Sequence, residues 1–415
     1  LPAVVGGGLG DIEEVLAAGR RLAQAGFRVY LYRRPAHPLP RSVDGPWEWP
    51  PHRRVRRLLP RARAAITVSP AWGVSAASRR PGPFGGPGPW AEEVADIEQA
   101  YGADRVLHVS LEEFARTLGS RAETRERFRE GGVPARTLPE RVRAADRAGE
   151  VAVFRDAFER FRAFDRPNVL SLFASFRPIR SFRREFPGAV QTGPLWSGRS
   201  VVRPRAGANH GARVWVWYAS PASAERIAPR VLEGLRGLRP PVHLFVRSPR
   251  PWATVTTSPR VTMVTGTIDA AAWRQRFVAA ELRIVTGSRT LLEALELGGP
   301  FLYFNGVLGP GRRARRHRPE KVAALLELGR RGGVPPSLLH DLAEFARGRA
   351  VAAVVRRTSH RRVGWERFRT SSVRRAFPPG YGDAGALVVA LARSLAGPDA
   401  DAPALVRRVR AGSNP

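Results

Sequence analysis

Two short strings carry residue types that could do chemistry. The first is Val285-Thr286-Gly287-Ser288-Arg289-Thr290-Leu291-Leu292-Glu293, which runs on to Gly298-Gly299-Pro300. A strand that ends at a glycine and turns into a helix leaves N–H groups open at the helix start, and these take an anion such as a diphosphate. Glu293 falls about one turn in, where a carboxylate can accept two hydrogen bonds from the vicinal hydroxyls of a ribose. Glu293 and Glu296 also have a plainer use, as solvated acids favoured by the helix dipole. The second string is Gly6-Gly7-Gly8-Leu9-Gly10-Asp11. Gly7, Gly8 and Gly10 let backbone approach a ligand closely. Asp11, at about the start of the next helix, is either its N-cap or a general base. The loop has neither the spacing of a nicotinamide-binding GxGxxG nor that of a P-loop, because no GK[ST] follows.

Further candidates stand at strand ends and in one basic loop. Ser220 follows the strand Val214 to Tyr218, and Arg247 ends the next strand. Both places suit a phosphate ligand, and both also suit an ordinary strand-end polar residue. Gly309 to Lys321 (GPGRRARRHRPEK) brings His317, Glu320 and Lys321 together with arginines that can fork onto a diphosphate. The same run also reads as a solvated basic loop. Lys321 is the only lysine among the 69 Lys and Arg residues. The histidines show no HxxxH or HExxH spacing, so no metal is expected. There is no GxSxG elbow. Trp47, Trp49 and Trp72, set among Arg and Pro, would form an acceptor or membrane-surface patch or would pack in the core.

These residues must be positioned by alternating strands and helices. Pro2 to Val5 reads as a strand. Ile12, Val15, Leu16, Leu22 and Ala23 mark one helical face closed by Gly26, and Arg28 to Tyr32 reads as the next strand. That is a βαβ unit, which needs a parallel sheet. Ala64 to Ser69, Asn168 to Ala174 and Gly188 to Thr192 read as further strands, and Trp90 to about Arg166 as mostly helical. Ser197 to Ala212 breaks the periodicity and reads as a linker. Strands at 213–218, 242–246, 261–264, 282–286 and 301–304, with helices at 222–238 and 290–297, then imply a second doubly wound sheet. The short helix after Gly287 is expected to last one to two turns. The expected architecture is α/β, with two Rossmann-like doubly wound domains facing a cleft. Its parts are a domain at 1–200, a linker at 201–212, a domain at 213–396 and a frayed tail at 397–415.

Composition narrows the classes of function. The chain has 415 residues and 43% hydrophobic residues, enough for two or three cores and too many for a wholly disordered chain. Zero cysteines exclude disulfides, thiolate metal sites and a cysteine nucleophile. No apolar run of membrane-spanning length and no export signal are visible, so a cytoplasmic protein is expected. The 69 basic residues against 36 acidic ones give +33, an excess that draws anionic lipid, nucleic acid and nucleotide phosphates alike. The near-exclusive use of arginine points to the codon bias of a GC-rich genome as part of the cause. Arginine is spread along nearly every segment rather than gathered on one face, so no specific nucleic-acid partner is expected.

The string from Gly287 to Pro300 resembles the donor-nucleotide motif of GT-B glycosyltransferases. It is most similar to the motif of the UDP-N-acetylglucosamine transferase family that completes lipid II. Gly287, Thr290, Glu293, Gly298 and Pro300 match at the family's relative spacing. The likeness covers residues 213–345 in layout and is specific over about sixteen residues. It implies that Glu293 holds the ribose of a nucleotide sugar, with Gly287, Ser288 and Thr290 near the diphosphate. It also implies that His317, Glu320 and Lys321 lie near the donor sugar. The glycine loop departs from the lipid II family, which has His where this chain has Asp11. It is closer to heptosyltransferases and glycogen synthases. The resemblance implies a metal-independent, inverting transfer from a nucleoside diphosphate sugar, UDP-linked, with no cofactor. The acceptor would be a glycan, lipid or metabolite hydroxyl, and the enzyme would touch the anionic inner membrane face peripherally. The alternatives are a nucleotide-sugar epimerase or hydrolase on the same fold, and a basic nucleic-acid-binding protein.

Overall fold

The computed structural model describes residues 10–30, 47–48, 64–70, 97–113, 166–176, 178, 188–197, 213–218, 223–236, 238, 242–248, 261–265, 270–304, 306–307, 316–317, 319–361, 363–368 and 370–413. The chain forms two compact units. One is Leu1–Arg199 together with Arg374–Pro415, and the other is Ser200–Val373.

The first unit opens with helix α1 (Gly10–Gln24). Val15, Leu16, Ala18 and Leu22 lie on its buried face. The helix stops at Gly26, whose φ of 89° suits a residue without a Cβ. Strands β1 (Val29–Tyr30) and β2 (Trp47–Glu48) form a small parallel pair. The main sheet holds β3 (Ala65–Pro70), β4 (Val106–Glu113), β5 (Val169–Ala174) and β6 (Ala189–Thr192), in that order and all parallel. The central strands β4 and β5 are apolar on both faces, which a sheet covered on both sides requires. Strand β4 interrupts the stretch from Trp90 to Arg166 that was expected to be mostly helical; residues 114–165 lie outside the described residues. Val106-Leu107-His108-Val109 is a buried run with a β-branched valine at each end, inside a stretch whose arginines and glutamates suggested helix.

The second unit is built on β7 (Arg213–Tyr218), helix α2 (Ser223–Leu235), β8 (Val242–Ser248), β9 (Val261–Thr265), α3 (Ala270–Ala279), β10 (Leu282–Val285), α4 (Ser288–Leu297) and β11 (Phe301–Tyr303). The five strands are parallel, in the order β11-β10-β7-β8-β9. Trp215, Val216 and Trp217 are all fully buried, so both faces of the central strand are covered. A two-residue antiparallel pair, β12 (Gly306–Val307) with β13 (Arg316–His317), precedes α5 (Pro319–Arg331), α6 (Pro336–Ala346) and α7 (Val351–His360).

After α8 (Thr370–Arg375) the chain rejoins the first unit as α9 (Ala384–Leu395) and α10 (Ala402–Ala411). The expected domain end at 396 and frayed tail at 397–415 are therefore corrected. Asp401 caps α10 by accepting from Ala404 N at 2.9 Å, and Leu405, Val406 and Val409 are buried. The segment Asp399 to Asp401 looked polar and loose in sequence because it is a cap. Asp383 caps α9 through Gly385 N and Ala386 N, and its other oxygen accepts from Arg21 of α1 and Arg374. Gly193, just past β6, meets the same segment so closely that a Cβ there would lie 2.1 Å from Gly382 O. Each unit is a parallel-sheet α/β unit of Rossmann-like type.

Candidate functional site

The strand order of the second unit reverses between β10 and β7. From β7 the chain runs outward through β8 and β9 on one side, and β10 and β11 lie on the other. At such a switch point the loops leaving two neighbouring strands part company and open a crevice at the carboxyl ends, where ligands bind. Val285 pairs with Tyr218 and Tyr218 with Arg247, so one row at the carboxyl edge crosses the switch point.

Leaving β10, the chain passes through Thr286 and Gly287 into α4. Gly287 is extended (φ −102°), and α4 begins at Ser288. Leu291 N donates to Gly287 O at 3.0 Å as the first helical bond. The Thr290 hydroxyl folds back on the turn. It donates to Gly287 O at 3.0 Å and accepts from Gly287 N at 3.3 Å. Thr290 thus fixes the turn by which β10 passes into α4. Arg289 is buried beside it, at 8% exposure. Glu293 is half-buried in the second turn. The helix is ten residues long, which corrects the expected one to two turns. It stops at Gly298 and Gly299, whose φ values of 66° and 83° only glycine adopts readily.

Arg283 of β10 anchors this framework from below. Its guanidinium, 5% exposed, donates to Phe277 O (2.7 Å), Val278 O (3.0 Å) and Gly298 O (3.2 Å). These carbonyls end α3 and α4, where the helix dipole favours a cation. Arg247 is half-buried near the end of β8, its guanidinium carbon 5.9 Å from the centre of the Trp273 ring on α3. Sequence reading singled out Arg247, Gly287, Thr290 and Glu293 but missed Arg283, Arg289 and Trp273. An arginine inside a strand and a tryptophan on a helix look like composition and core until the register is known.

The remaining candidates divide by what is described. His317 is a residue of β13 paired with Gly306, and Glu320 and Lys321 lie in the first turn of α5. Gly10 and Asp11 are the first two residues of α1. Nothing is described of the side chains of Asp11, Ser288, His317, Glu320 and Lys321. Gly7, Gly8, Ser220, Trp49, Trp72 and residues 308–315 lie outside the described residues. Among the described residues no group of three or more His, Asp or Glu is arranged to hold a metal, and no helix is long and apolar enough to cross a membrane.

The first unit contains a cluster that sequence reading did not find. His108 of β4 bonds through Nδ1 to the Thr67 hydroxyl at 2.7 Å and through Nε2 to Glu98 at 2.9 Å. Asn168 donates to Glu98 at 2.8 Å, and Arg166 also binds it. Burial pushes the Glu98 carboxyl up. The hydrogen bonds from His108, Arg166 and Asn168, with the charge of Arg166, outweigh that and hold it at about 2. The connectivity is that of a hydroxyl–imidazole–carboxylate relay, but it sits at the amino ends of the strands, away from the edge where α/β sheets bind ligands. The carboxylate is saturated by three donors, which makes the cluster a structural lock. No spacing rule could have joined residues 67, 98, 108, 166 and 168 in advance.

No protein-family model and no curated protein matches the chain. Among solved structures, the chain is similar to CalG4, the calicheamicin glycosyltransferase, at 14% identity over 95% of this chain and 97% of that one, with a TM-score of 0.41. It is also similar to the glycotransferase of kitacinnamycin, at 16% identity over 89% and 96%, with a TM-score of 0.37.

Proposed function

We propose that the protein is a GT-B glycosyltransferase whose second unit binds a nucleoside diphosphate sugar, UDP-linked, and whose first unit binds the acceptor. The observation that carries the reading is the coincidence of three features at one place. The strand order reverses at β10 and β7, the start of α4 lies at that reversal, and Glu293 follows one turn later in the same helix. The N–H groups after Gly287 would take the diphosphate, Glu293 the ribose hydroxyls, and Ser220 and Arg247 phosphate oxygens. His317, Glu320 and Lys321 would lie toward the donor sugar. Asp11, in the first turn of α1 after the glycine loop, would deprotonate a glycan, lipid or metabolite hydroxyl. The leaving diphosphate would be neutralised by amides and arginines without a metal.

Calorimetric titration with UDP, GDP, ADP, dTDP and CDP at moderate salt tests this on the wild type and Glu293→Ala. One diphosphate should bind selectively, and Glu293→Ala should weaken it about 10- to 100-fold, the range for losing hydrogen bonds to a charged group. Equal binding of all five, abolished alike by salt, would refute the reading and leave a polycation.

A further inference from the structure

The second unit gathers positive charge where two of its helices end. α5 ends with Arg330 and Arg331, and α7 ends with Arg356 and Arg357 ahead of its cap Arg361. The turn after α7 brings these ends together. A Cβ on Gly332, just past α5, would stand 2.5 Å from Arg367 O, and Arg367 itself donates to Gly333 O. Asp341, in the second turn of α6, accepts from Arg357 and Arg361 and so ties the end of α7 to that helix. Arg330, Arg331, Arg356, Arg357 and Arg367 are exposed, and Arg361 is half-buried. Glu327 pairs with Arg331, Glu366 with Arg367, and the buried Asp341 with both Arg357 and Arg361. Six cations against these three carboxylates leave a surplus of three, which includes Arg330 and Arg356.

Helix C-termini favour cations, so the arginines alone have a plain use. Val363 has none of that kind. It lies between Arg361 and Arg367 in the chain and is 80% exposed, the one large apolar side chain so placed among the described residues. The turn that carries it is not slack. Gly364 adopts a φ of 99°, and its N–H donates to Glu366 at 2.9 Å. Trp365 is 1% exposed, donates its indole N–H to Arg361 O at 3.2 Å, and meets the rings of Phe301 and Phe368. The core thus holds Val363 out in water beside the arginines.

We propose that this end of the second unit is a docking surface for an anionic lipid membrane. The guanidiniums meet the headgroup phosphates, and Val363 enters the apolar margin beneath them. A nucleic acid would use the same arginines, but it is bound through phosphate contacts and stacking on aromatic rings and gives an exposed aliphatic side chain nothing to do. Because the turn is already rigid, little ordering is lost on contact. The inference goes beyond the nucleotide reading and does not depend on it.

The experiment is cosedimentation of the full chain, without nucleotide and at moderate salt, with vesicles of phosphatidylcholine alone or mixed with phosphatidylglycerol. The wild type should bind the mixed vesicles and leave the neutral ones. Arg330→Gln with Arg356→Gln should weaken that binding about 25-fold, at about fivefold for each charge taken from an anionic surface. Val363→Ser should weaken it about fivefold, for the apolar surface lost, and should leave binding to a DNA duplex unchanged. The control pair is Arg393→Gln with Arg407→Gln, two exposed arginines of the first unit. It should change vesicle binding by less than about twofold, because salt screens charges more than about 10 Å from the contact. All five substitutions are at exposed positions, and circular dichroism should match the wild type. Failure of the wild type to bind mixed vesicles would overturn the proposal. Equal losses in the two arginine pairs would also overturn it, since the charge of the whole chain would then be the cause. So would a Val363→Ser variant that binds vesicles as the wild type does, or that loses DNA and vesicles alike, since the surface would then serve polyanions in general.

Discussion

Replacing Glu98 with Gln removes one charge from the lock at the amino end of the first sheet and keeps the shape. An ordinary glutamate in this setting titrates near 4.5, and Glu98 is held at about 2. The difference of about 2.5 units, at 1.36 kcal/mol each, corresponds to roughly 3 kcal/mol of stability tied to the ionised form. Glu98 is 14% exposed but its charged partner Arg166 is 43% exposed, so solvent screens part of this and about 3 kcal/mol is the upper bound. Because the folded value is depressed, the contribution is fully present above about pH 4.5 and is lost as pH falls toward 2. The assay is amide exchange of strands β4 and β5, which reports the first unit separately in a chain of two units. At pH 7 Glu98→Gln should lower the protection of these amides by about 1–3 kcal/mol. The gap between variant and wild type should narrow steadily below pH 4.5. A gap that stays constant from pH 7 to pH 3, or that is absent at pH 7, would refute the reasoning, because the carboxylate's ionisation would not be coupled to folding.

Arg283→Met should destabilise the second unit by about 2–4 kcal/mol, since it takes the donor from three carbonyls that close α3 and α4, one of them in a buried bond. Urea unfolding followed by tryptophan fluorescence reads this, and Arg283→Lys should not rescue it, because an ammonium cannot reproduce the fork. Asp383→Ala should cost the first unit about 2–4 kcal/mol by losing the α9 cap and leaving Arg21 and Arg374 without their shared carboxylate. Asp383→Asn should recover only the cap portion, about 1 kcal/mol, in thermal unfolding.

The second sheet was legible in the sequence to within a residue or two at each strand, because Val-Trp-Val-Trp-Tyr and Leu-Arg-Ile-Val are β-forming runs bounded by turn residues. Gly298-Gly299-Pro300 gave the end of α4 for the same local reason. What local patterns do not carry is order. The reversal at β10 and β7, which sets Gly287 beside a switch point of the sheet, exists only once five strands have paired. Strand β4 was hidden because it stands in a charged neighbourhood that averages to helix. The return of α9 and α10 to the first unit was hidden because the tie lies in Asp383, Arg21 and Gly193, which are far apart in sequence. Thr290 shows the reverse case. Its position was readable, but the bonds of its hydroxyl to Gly287 were not.

The arginine surplus changes meaning once its partners are known. By count it is a charge of +33, and a codon bias would scatter it without regard to structure. Yet Arg20 donates to Ser197 O at 2.9 Å, Arg410 to Val169 O at 3.0 Å, and Arg283 to three carbonyls. The buried Asp341 accepts from both Arg357 and Arg361, as Asp383 does from Arg21 and Arg374. These arginines bridge backbone carbonyls and carboxylates across each unit, a task that suits the planar five-donor fork better than a lysine ammonium. Whatever supplied the arginines, the fold has come to depend on a share of them. The arginines left at the surface set the long-range attraction for polyanions, which salt screens. An anion site that survives moderate salt must therefore be built from arginines that the fold holds in place, as it holds Arg283.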